Sequence, residues 1–440
     1  MLSAEDNALM CRVGPGTAMG AVMRRTWLPA LLSTELPADG DPVHVELLGE
    51  SFVAFRDGSG RIGLLDEVCC HRGASLALGH VEKCGIRCIY HGWLFDADGK
   101  VLETPNVPDQ RFKDRFKAPS FPFREAGGLL WAYLGDPADM PPFPDFEFLN
   151  VPDSNRMPTV TIVGANFVQV MEGIFDSSHL TLLHSSALAA ASGSKLNFAQ
   201  ATSHMQFDAA PRIEAEETDF GLHYAAIRTV DGRRETRVTP FIAPCFQMNP
   251  NGDLWSALVP MADGKTAFYQ VWWSDELRYG EEPLNTQQKE ITGLGDELLA
   301  AYGMTRATFD TPARMSRQNG WRQDRVAMKN GHFTGMPNFT QEDAVCVTAG
   351  SGDGIRDRSR EHLSTADMAI GMIYRVLLRS ARNVAEGRDP VGFGVSVAHV
   401  RGTNATTPLD VESDWRALVP QHAPLKAASP RPSVGQGVAG

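Results

Sequence analysis

Cys69-Cys70-His71-Arg72-Gly73-Ala74 and Cys88-Ile89-Tyr90-His91-Gly92-Trp93-Leu94-Phe95-Asp96 are the stretches whose reading decides this chain, with sixteen residues between His71 and Cys88. As C-x-H…C-x-x-H they supply two thiolates and two imidazoles. A [2Fe–2S] centre in which two Cys hold one iron and two His hold the other uses this donor set. A structural zinc ion uses the same donors, but zinc fingers pair Cys with Cys and His with His at short range. Here each short pair mixes one Cys with one His, as expected when both loops serve two bridged metals. Exchanging two thiolates for neutral imidazoles removes negative charge and raises the reduction potential.

The bulk numbers exclude several classes. At 440 residues the chain is long enough for two or three domains. A net charge of −12 argues against partnership with nucleic acid and against an anionic membrane surface. No apolar run is long enough to span a bilayer, and the acidic start, Met1-Leu2-Ser3-Ala4-Glu5-Asp6, lacks the features of a signal peptide. Seven cysteines, an odd count, fit a reducing cytoplasm better than a disulfide framework, so Cys11, Cys70, Cys84, Cys245 and Cys346 are expected as free thiols.

Pattern along the chain predicts a helical segment over 1–40, with Met19, Val22, Met23 and Trp27 at helical spacing followed by an irregular stretch. Short β-type runs at 44–48, 52–55 and 62–65, with a turn at Asp57-Gly58-Ser59-Gly60, open an all-β domain over 41–136. Pro137, Pro141, Pro142 and Pro144 mark a linker over 137–154. A mixed domain follows over 155–423, with strands at 254–259 and 266–273 and a strong helix from Ser364, where Asp367 completes a capping box, to near Gly387. Residues 424–440 carry no apolar periodicity and are expected to be disordered.

A second constellation spans Asn166, Gln169, Glu172, Asp176, His179 and His184. Two His and a carboxylate on one face of an iron leave positions open for dioxygen and substrate. Asp176 and His179, three apart, are expected to share a helix face. His184 falls about 140° round from His179 on a regular helix, so the helix must break for both imidazoles to meet one metal. The carboxylate must come from elsewhere in the chain, and Asp343, Asp324 and Glu342 are the candidates.

The cluster loops and their flanks resemble the Rieske signature nearly residue for residue, with Cys70 where that family usually carries Pro. Together with the Asn166–His184 stretch and the region from Phe333-Thr334-Gly335 through Ile355-Arg356-Asp357-Arg358-Ser359-Arg360-Glu361-His362-Leu363, the chain resembles the oxygenase (alpha) component of Rieske non-haem iron aromatic-ring hydroxylating systems, nearest the phthalate dioxygenase type. The likeness runs from Leu2 to about Asp389. It implies an α+β chain: an N-terminal all-β Rieske [2Fe–2S] domain and a C-terminal helix-grip-type catalytic domain with an antiparallel sheet and flanking helices. It implies Cys69, His71, Cys88 and His91 as cluster ligands, and His179, His184 and Asp343 as ligands of a mononuclear Fe(II). Extra residues between Asp343 and Asp357, and Thr348 where relatives often carry Glu, depart from the pattern. A homotrimer or hexamer is implied, in which one subunit's cluster sits beside the next subunit's iron and Asp176 bridges His91 to His179.

The resemblance further implies a separate flavin and iron–sulfur reductase, similar to phthalate dioxygenase reductase, and dihydroxylation of an aromatic carboxylate of phthalate or isophthalate type with O2. The chain has no Rossmann fingerprint of its own for the nicotinamide. An O-demethylase or monooxygenase of methoxy- or phenoxy-substituted aromatic acids is the nearest alternative. A Rieske electron carrier is another, although it leaves everything after residue 135 without a role. A carboxylate substrate calls for an arginine fork. Arg237, on an alternating run at 235–241, and then Arg228 are the expected substrate-binding residues.

Overall fold

The computed structural model describes residues 2–191, 194–203, 207–351, 354–411 and 413–419; the expected tail over 424–440 lies outside the described residues. The chain opens with α1 (Ala4–Cys11) and α2 (Ala18–Arg24), whose first turns are capped by Ser3 and Thr17 accepting from the Asp6 and Gly20 N–H groups. Met19, Val22 and Met23 lie on α2, but Trp27 lies beyond it. The stretch expected to be irregular contains a strand, β1 (Leu28–Leu32), antiparallel to β10 (Leu129–Ala132). Its partner is far away in the chain, where local pattern cannot reveal it.

Three small antiparallel sheets make up the N-terminal β region. One joins β2 (Val43–Leu47), β3 (Glu50–Arg56) and β4 (Ile62–Asp66). The β3–β4 turn closes where expected, with Asp57 Oδ1 accepting from the Ser59 and Arg61 N–H groups. The second joins β5 (His80–Glu82), β6 (Gly85–Arg87), β7 (Leu94–Phe95) and β8 (Val101–Glu103). The third adds β9 (Phe123–Ala126) to the β1–β10 pair.

The larger region is built on one antiparallel sheet of eight strands: β11 (Arg156–Val163), β12 (Arg212–Glu217), β13 (Gly221–Val230), β14 (Arg233–Ile242), β15 (Phe246–Met248), β16 (Leu254–Ala262), β17 (Lys265–Trp273) and β18 (Thr403–Pro408). Their order is β11-β17-β16-β15-β14-β13-β12, with β18 also on β14. Helices α3 (Phe167–Phe175), α4 (Leu180–Leu183), α5 (Ser185–Ala191), α6 (Asn197–Ser203), α7 (Leu284–Thr292), α8 (Asp296–Ala301), α9 (Arg325–Lys329), α10 (Phe339–Thr348) and α11 (Met368–Ala385) flank it. The helix read from Ser364 begins with a single 3-10 turn in which Ser364 and Asp367 form the expected capping box, and α11 ends just before Gly387.

The two regions share a core. Trp255 of β16 packs on Trp131 of β10, with centroids 5.6 Å apart, and on Phe146 and Phe148 of the Pro-rich segment. Each such buried side chain contributes roughly 1.5–3 kcal/mol, so this segment is part of the packing between the regions. The Leu48 and Gly49 N–H groups donate to the carbonyls of Pro260 and Met261. A separate apolar cluster, with Phe55, Leu76, Ile86 and Trp93 around Cys69 and Cys88, belongs to the β region alone. No helix among the described residues is long and apolar enough to cross a membrane.

Candidate metal centres

The two Cys-His loops have the same backbone. The Cys69 N–H donates to the Ala74 carbonyl and the Gly73 N–H to the Cys69 carbonyl; the Cys88 N–H donates to the Trp93 carbonyl and the Gly92 N–H to the Cys88 carbonyl. Gly73 and Gly92, at φ +76° and +73°, supply the left-handed residue that lets each loop turn back on its cysteine. Both cysteines are buried. Burial, together with the neighbouring Cys88 thiol, pushes the Cys69 thiol up to about 12. The His71 and His91 rings lie edge to face with centroids 4.5 Å apart, and His71 stacks on Trp93 at 4.5 Å. Trp93 is itself tied through Nε1 to Asn106 Oδ1 at 2.8 Å. Its role as a platform is one that spacing did not reveal, although it directly follows the His-Gly pair. Cys70 is exposed and Val68, Ile89 and Tyr90 are about half exposed, so the tip is apolar.

The second site is assembled from distant segments. Asn166 caps α3 through Val168 N–H, and its amide donates to the carbonyls of Cys11 and Asp263. Gln169 donates to the Val347 carbonyl and Ser351 and accepts from Arg356 N–H. Glu172 takes Arg358, Arg356 and Tyr374. These three polar residues, Asn166 and Gln169 buried and Glu172 partly so, fix α3, and α3 in turn fixes the loop after it. Asp176 does not share a helix face with His179: α3 stops at Phe175, and Asp176 is extended, its Oδ1 accepting from Ser178 N–H and Oγ. This turn re-aims the chain so that His179 and His184 bracket the single turn of α4. The required break therefore lies before His179 and again at His184.

The result is a converging donor set. Atoms of His179, His184 and Asp343 all lie within 4.8 Å of one another. Asp343 Oδ1 is 3.1 Å from His184 Nε2 and 3.6 Å from His179 Nε2. The far nitrogens are held by other carboxylates: His179 Nδ1 is 3.4 Å from Asp176 Oδ2, and His184 Nδ1 donates to Glu342 Oε2 at 2.7 Å. Glu342, fully buried, also accepts from Thr334 Oγ1 at 2.6 Å. It thus orients a histidine, while Asp324 caps α9. Two imidazoles with far nitrogens anchored by carboxylates, plus one facing carboxylate, fit a divalent iron with open positions. Burial lowers the His184 pKa, but Asp343 and Glu342 outweigh it and raise it to about 9. Burial likewise raises that of Asp176, yet His179 and Ser178 bring it down to about 2. A site that stabilises positive charge this strongly favours a cation.

Asp176, His179 and Asp343 face two spaces. One is a cavity of about 150 Å³ between the helices and the inner face of the sheet. The other is an outer cleft of about 440 Å³ with Arg356 and Glu361 on its walls. Arg237 lines the cavity, buried, its Nη2 donating to Asn251 Oδ1 at 2.9 Å. Burial, opposed by Glu235, lowers its pKa to about 10, so it remains a cation at neutral pH. Arg228 is not on the cavity wall; it donates to the carbonyls of Ser177 and Asp208 and so clamps the loop that carries His179.

Comparisons with known proteins agree with this geometry. Residues 26–122 match the Rieske [2Fe-2S] domain, and residues 132–429 match the family described as LigXa C-terminal domain like. The chain is 36% identical to the phthalate 4,5-dioxygenase oxygenase subunit of Pseudomonas putida, over 94% of each chain. It is 34% identical to the 3-chlorobenzoate-3,4-dioxygenase oxygenase subunit of Comamonas testosteroni, over 96% of this chain and 98% of the other. It is 31% identical to the 5,5'-dehydrodivanillate O-demethylase oxygenase subunit of Sphingobium sp. (strain NBRC 103272 / SYK-6), over 89% and 83%. Its fold resembles that of dicamba monooxygenase bound to dicamba, with a TM-score of 0.53 at 18% identity over 82% of this chain and 98% of that one.

Proposed function

This chain belongs to the Rieske non-haem iron aromatic-ring oxygenases, as an oxygenase component of the phthalate dioxygenase-like group, and we propose that it hydroxylates a single-ring aromatic carboxylate with electrons from a separate reductase. The observation that carries this reading is a buried, permanently charged Arg237 on the wall of a cavity that also contains His179, His184 and Asp343. A cavity of about 150 Å³ suits one substituted ring, a space comparable to one known to hold benzene.

In this reading Cys69 and Cys88 hold one iron of the Rieske cluster and His71 and His91 the other, while His179, His184 and Asp343 hold the mononuclear iron. That iron, when bound, supplies dioxygen activation. The chain's own residues do the rest. Arg237 takes the carboxylate in a two-pronged ion pair and fixes the ring's distance from the helices. Phe268, Leu254 and Trp272 exclude water around the ring. Asp176 and Glu342 hold both imidazoles in one tautomer. Arg228 keeps the His179 loop in register with the sheet.

Because His179 and Asp343 face both spaces, the outer cleft would give a cluster access to the iron site without entering the substrate cavity. The exposed tip at Ile89 and Tyr90 is a surface suited to cover such a cleft on a neighbouring copy, with Asp176 as the bridge from His91 to His179, in a homotrimer or a pair of stacked trimers. The reductase is of the flavin and iron–sulfur kind. Two products separate the chemistries: a cis-dihydrodiol carrying both oxygen atoms marks ring dioxygenation, and released formaldehyde marks O-demethylation, the reaction named for the dehydrodivanillate relative.

The test is NADH consumption by the holoenzyme with a surrogate reductase across one-ring aromatic acids and their neutral analogues, with products identified by mass spectrometry. Turnover of the acids with none of their amides or esters supports the reading. Equal turnover of neutral analogues, or wild-type KM for an aromatic acid in Arg237→Ala, defeats it.

A further inference from the structure

The inner face of the sheet is more polar than a pocket for a plain benzoate requires. Gln270 on β17 pairs directly with Ser256 on β16, and Ser256 with Gln247 on β15. Directly opposed residues share a face, and all three line the cavity, forming one row across it. Trp272, two residues beyond Gln270 on the same strand, lines it too, and only 1% of its surface is exposed. Gln270 Oε1 and Trp272 Nε1 have no hydrogen-bond partner among the described residues, and neither has Thr161 Oγ1 on the adjoining wall. An unsatisfied buried polar atom costs roughly 1–3 kcal/mol. Three around one cavity call for an explanation, and a ligand supplies it.

The charge distribution says which kind of ligand group. Arg237 is the only lysine or arginine among the described residues lining the cavity, and it lies on β14, three strands from Gln270. Arg237 also stands four residues along β14 from Phe241, the residue opposite Gln247 in that row, so at about 4.8 Å per strand and about 3.4 Å per residue the two backbones are on the order of 20 Å apart. The two side chains and one substituted ring together can span that separation. No lysine or arginine among the described residues stands at the Gln270 end, so a second carboxylate there would be buried without such a counter-charge, at high cost. A hydroxyl suits it instead, donating to Gln270 Oε1 and accepting from Trp272 Nε1.

We propose that the cavity selects a benzoate-type monoanion with an uncharged hydroxyl-like substituent meta or para to its carboxylate, the carboxylate on Arg237 and the substituent on Gln270 and Trp272. This rests on the aromatic-acid reading above and narrows it.

Calorimetric binding to the oxidised holoenzyme tests it, with benzoate, 3- and 4-hydroxybenzoate, isophthalate and terephthalate as probes. At least one hydroxybenzoate is expected to bind about tenfold or more tighter than benzoate, the equivalent of one good hydrogen-bonded site, while the dicarboxylates bind no tighter than benzoate. Gln270→Leu is expected to bring the hydroxybenzoate down to the level of benzoate. Trp272→Phe, which keeps the ring and removes only the N–H, serves as the milder variant, and cluster absorbance and iron content report folding in both. Equal affinity of benzoate and both hydroxybenzoates, a tighter dicarboxylate, or a preference unchanged in both variants overturns the proposal while leaving the aromatic-acid reading intact. No binding of any aromatic acid overturns both.

Discussion

The proposed cluster ligands all lie between residues 69 and 91, in two loops that each close on their own cysteine through a left-handed glycine. The proposed mononuclear ligands come from residues 179, 184 and 343, and their supports from residues 172, 176, 334, 342, 356 and 358. One geometry is written locally, whereas the other exists only after the sheet, α3 and α10 have packed. Local construction tolerates exposure, and the cluster tip is half open to solvent. Assembly from a distance places buried charges such as Glu342 and Arg358 where only their partners make them tolerable.

If the two sites are independent in this sense, removing one should leave the other whole. The largest effect is expected from Asp343→Ala, which takes the only facing carboxylate from the converging set. Turnover should vanish and iron analysis should lose the third iron, while the cluster's visible absorbance and its electron paramagnetic resonance signal stay unchanged. Cys88→Ser should do the converse, losing the cluster's pair of irons and all reductase-driven turnover. Loss of both metals in either protein would break the comparison.

The contrast sharpens at Glu342, which touches no space a substrate could enter yet accepts from His184 Nδ1 at 2.7 Å. Glu342→Gln keeps the shape and removes the charge that orients the imidazole. Fe(II) affinity measured by competition with a chelator is expected to fall by about 10- to 100-fold, with the cluster spectrum unaltered. Unchanged affinity would mean that packing alone orients His184.

The same difference explains how much could be read from the sequence. The cluster loops, the β3–β4 turn and the Ser364 capping box were legible because each needs only neighbours within a few residues. The long strands β16 and β17 were legible as apolar β-type runs and β14 by its alternation, which repeats at period two in a sheet. Strand β1 was not, since its pairing with β10 depends on a segment nearly the whole β region away. A break between His179 and His184 was legible as a necessity, but the earlier break at Asp176 was not: there the helix ends at Phe175 and the extended Asp176 accepts from Ser178 N–H, although its spacing from His179 suits a shared helix face. Glu342 was readable as a candidate ligand beside Asp343 but not as His184's anchor, because nothing local says which of two adjacent carboxylates faces the metal. The arginines divide likewise. Alternation places both on sheet strands, but only folding shows that Arg237 meets the cavity while Arg228 meets the Ser177 carbonyl.

The smallest expected effect lies within the cluster region and asks how alike its two loops are. Gly73 and Gly92 hold nearly equal left-handed φ values, so an alanine at either carries a backbone cost of roughly 1–2 kcal/mol. Their surroundings differ. A Cβ on Gly73 would meet nothing nearer than Val68 Cγ1 at 3.9 Å, whereas one on Gly92 would meet Pro105 Cγ at 3.3 Å, tight enough to require a small shift. Gly73→Ala should therefore show the backbone cost alone, and Gly92→Ala that cost plus the displacement of Pro105. Followed by the temperature at which the cluster's absorbance is lost, both midpoints should fall, with Gly92→Ala lower. Equal midpoints would show that the backbone sets the whole cost, and an unshifted Gly73→Ala would show that the bound cluster, not the glycine turn, dictates the loop's shape.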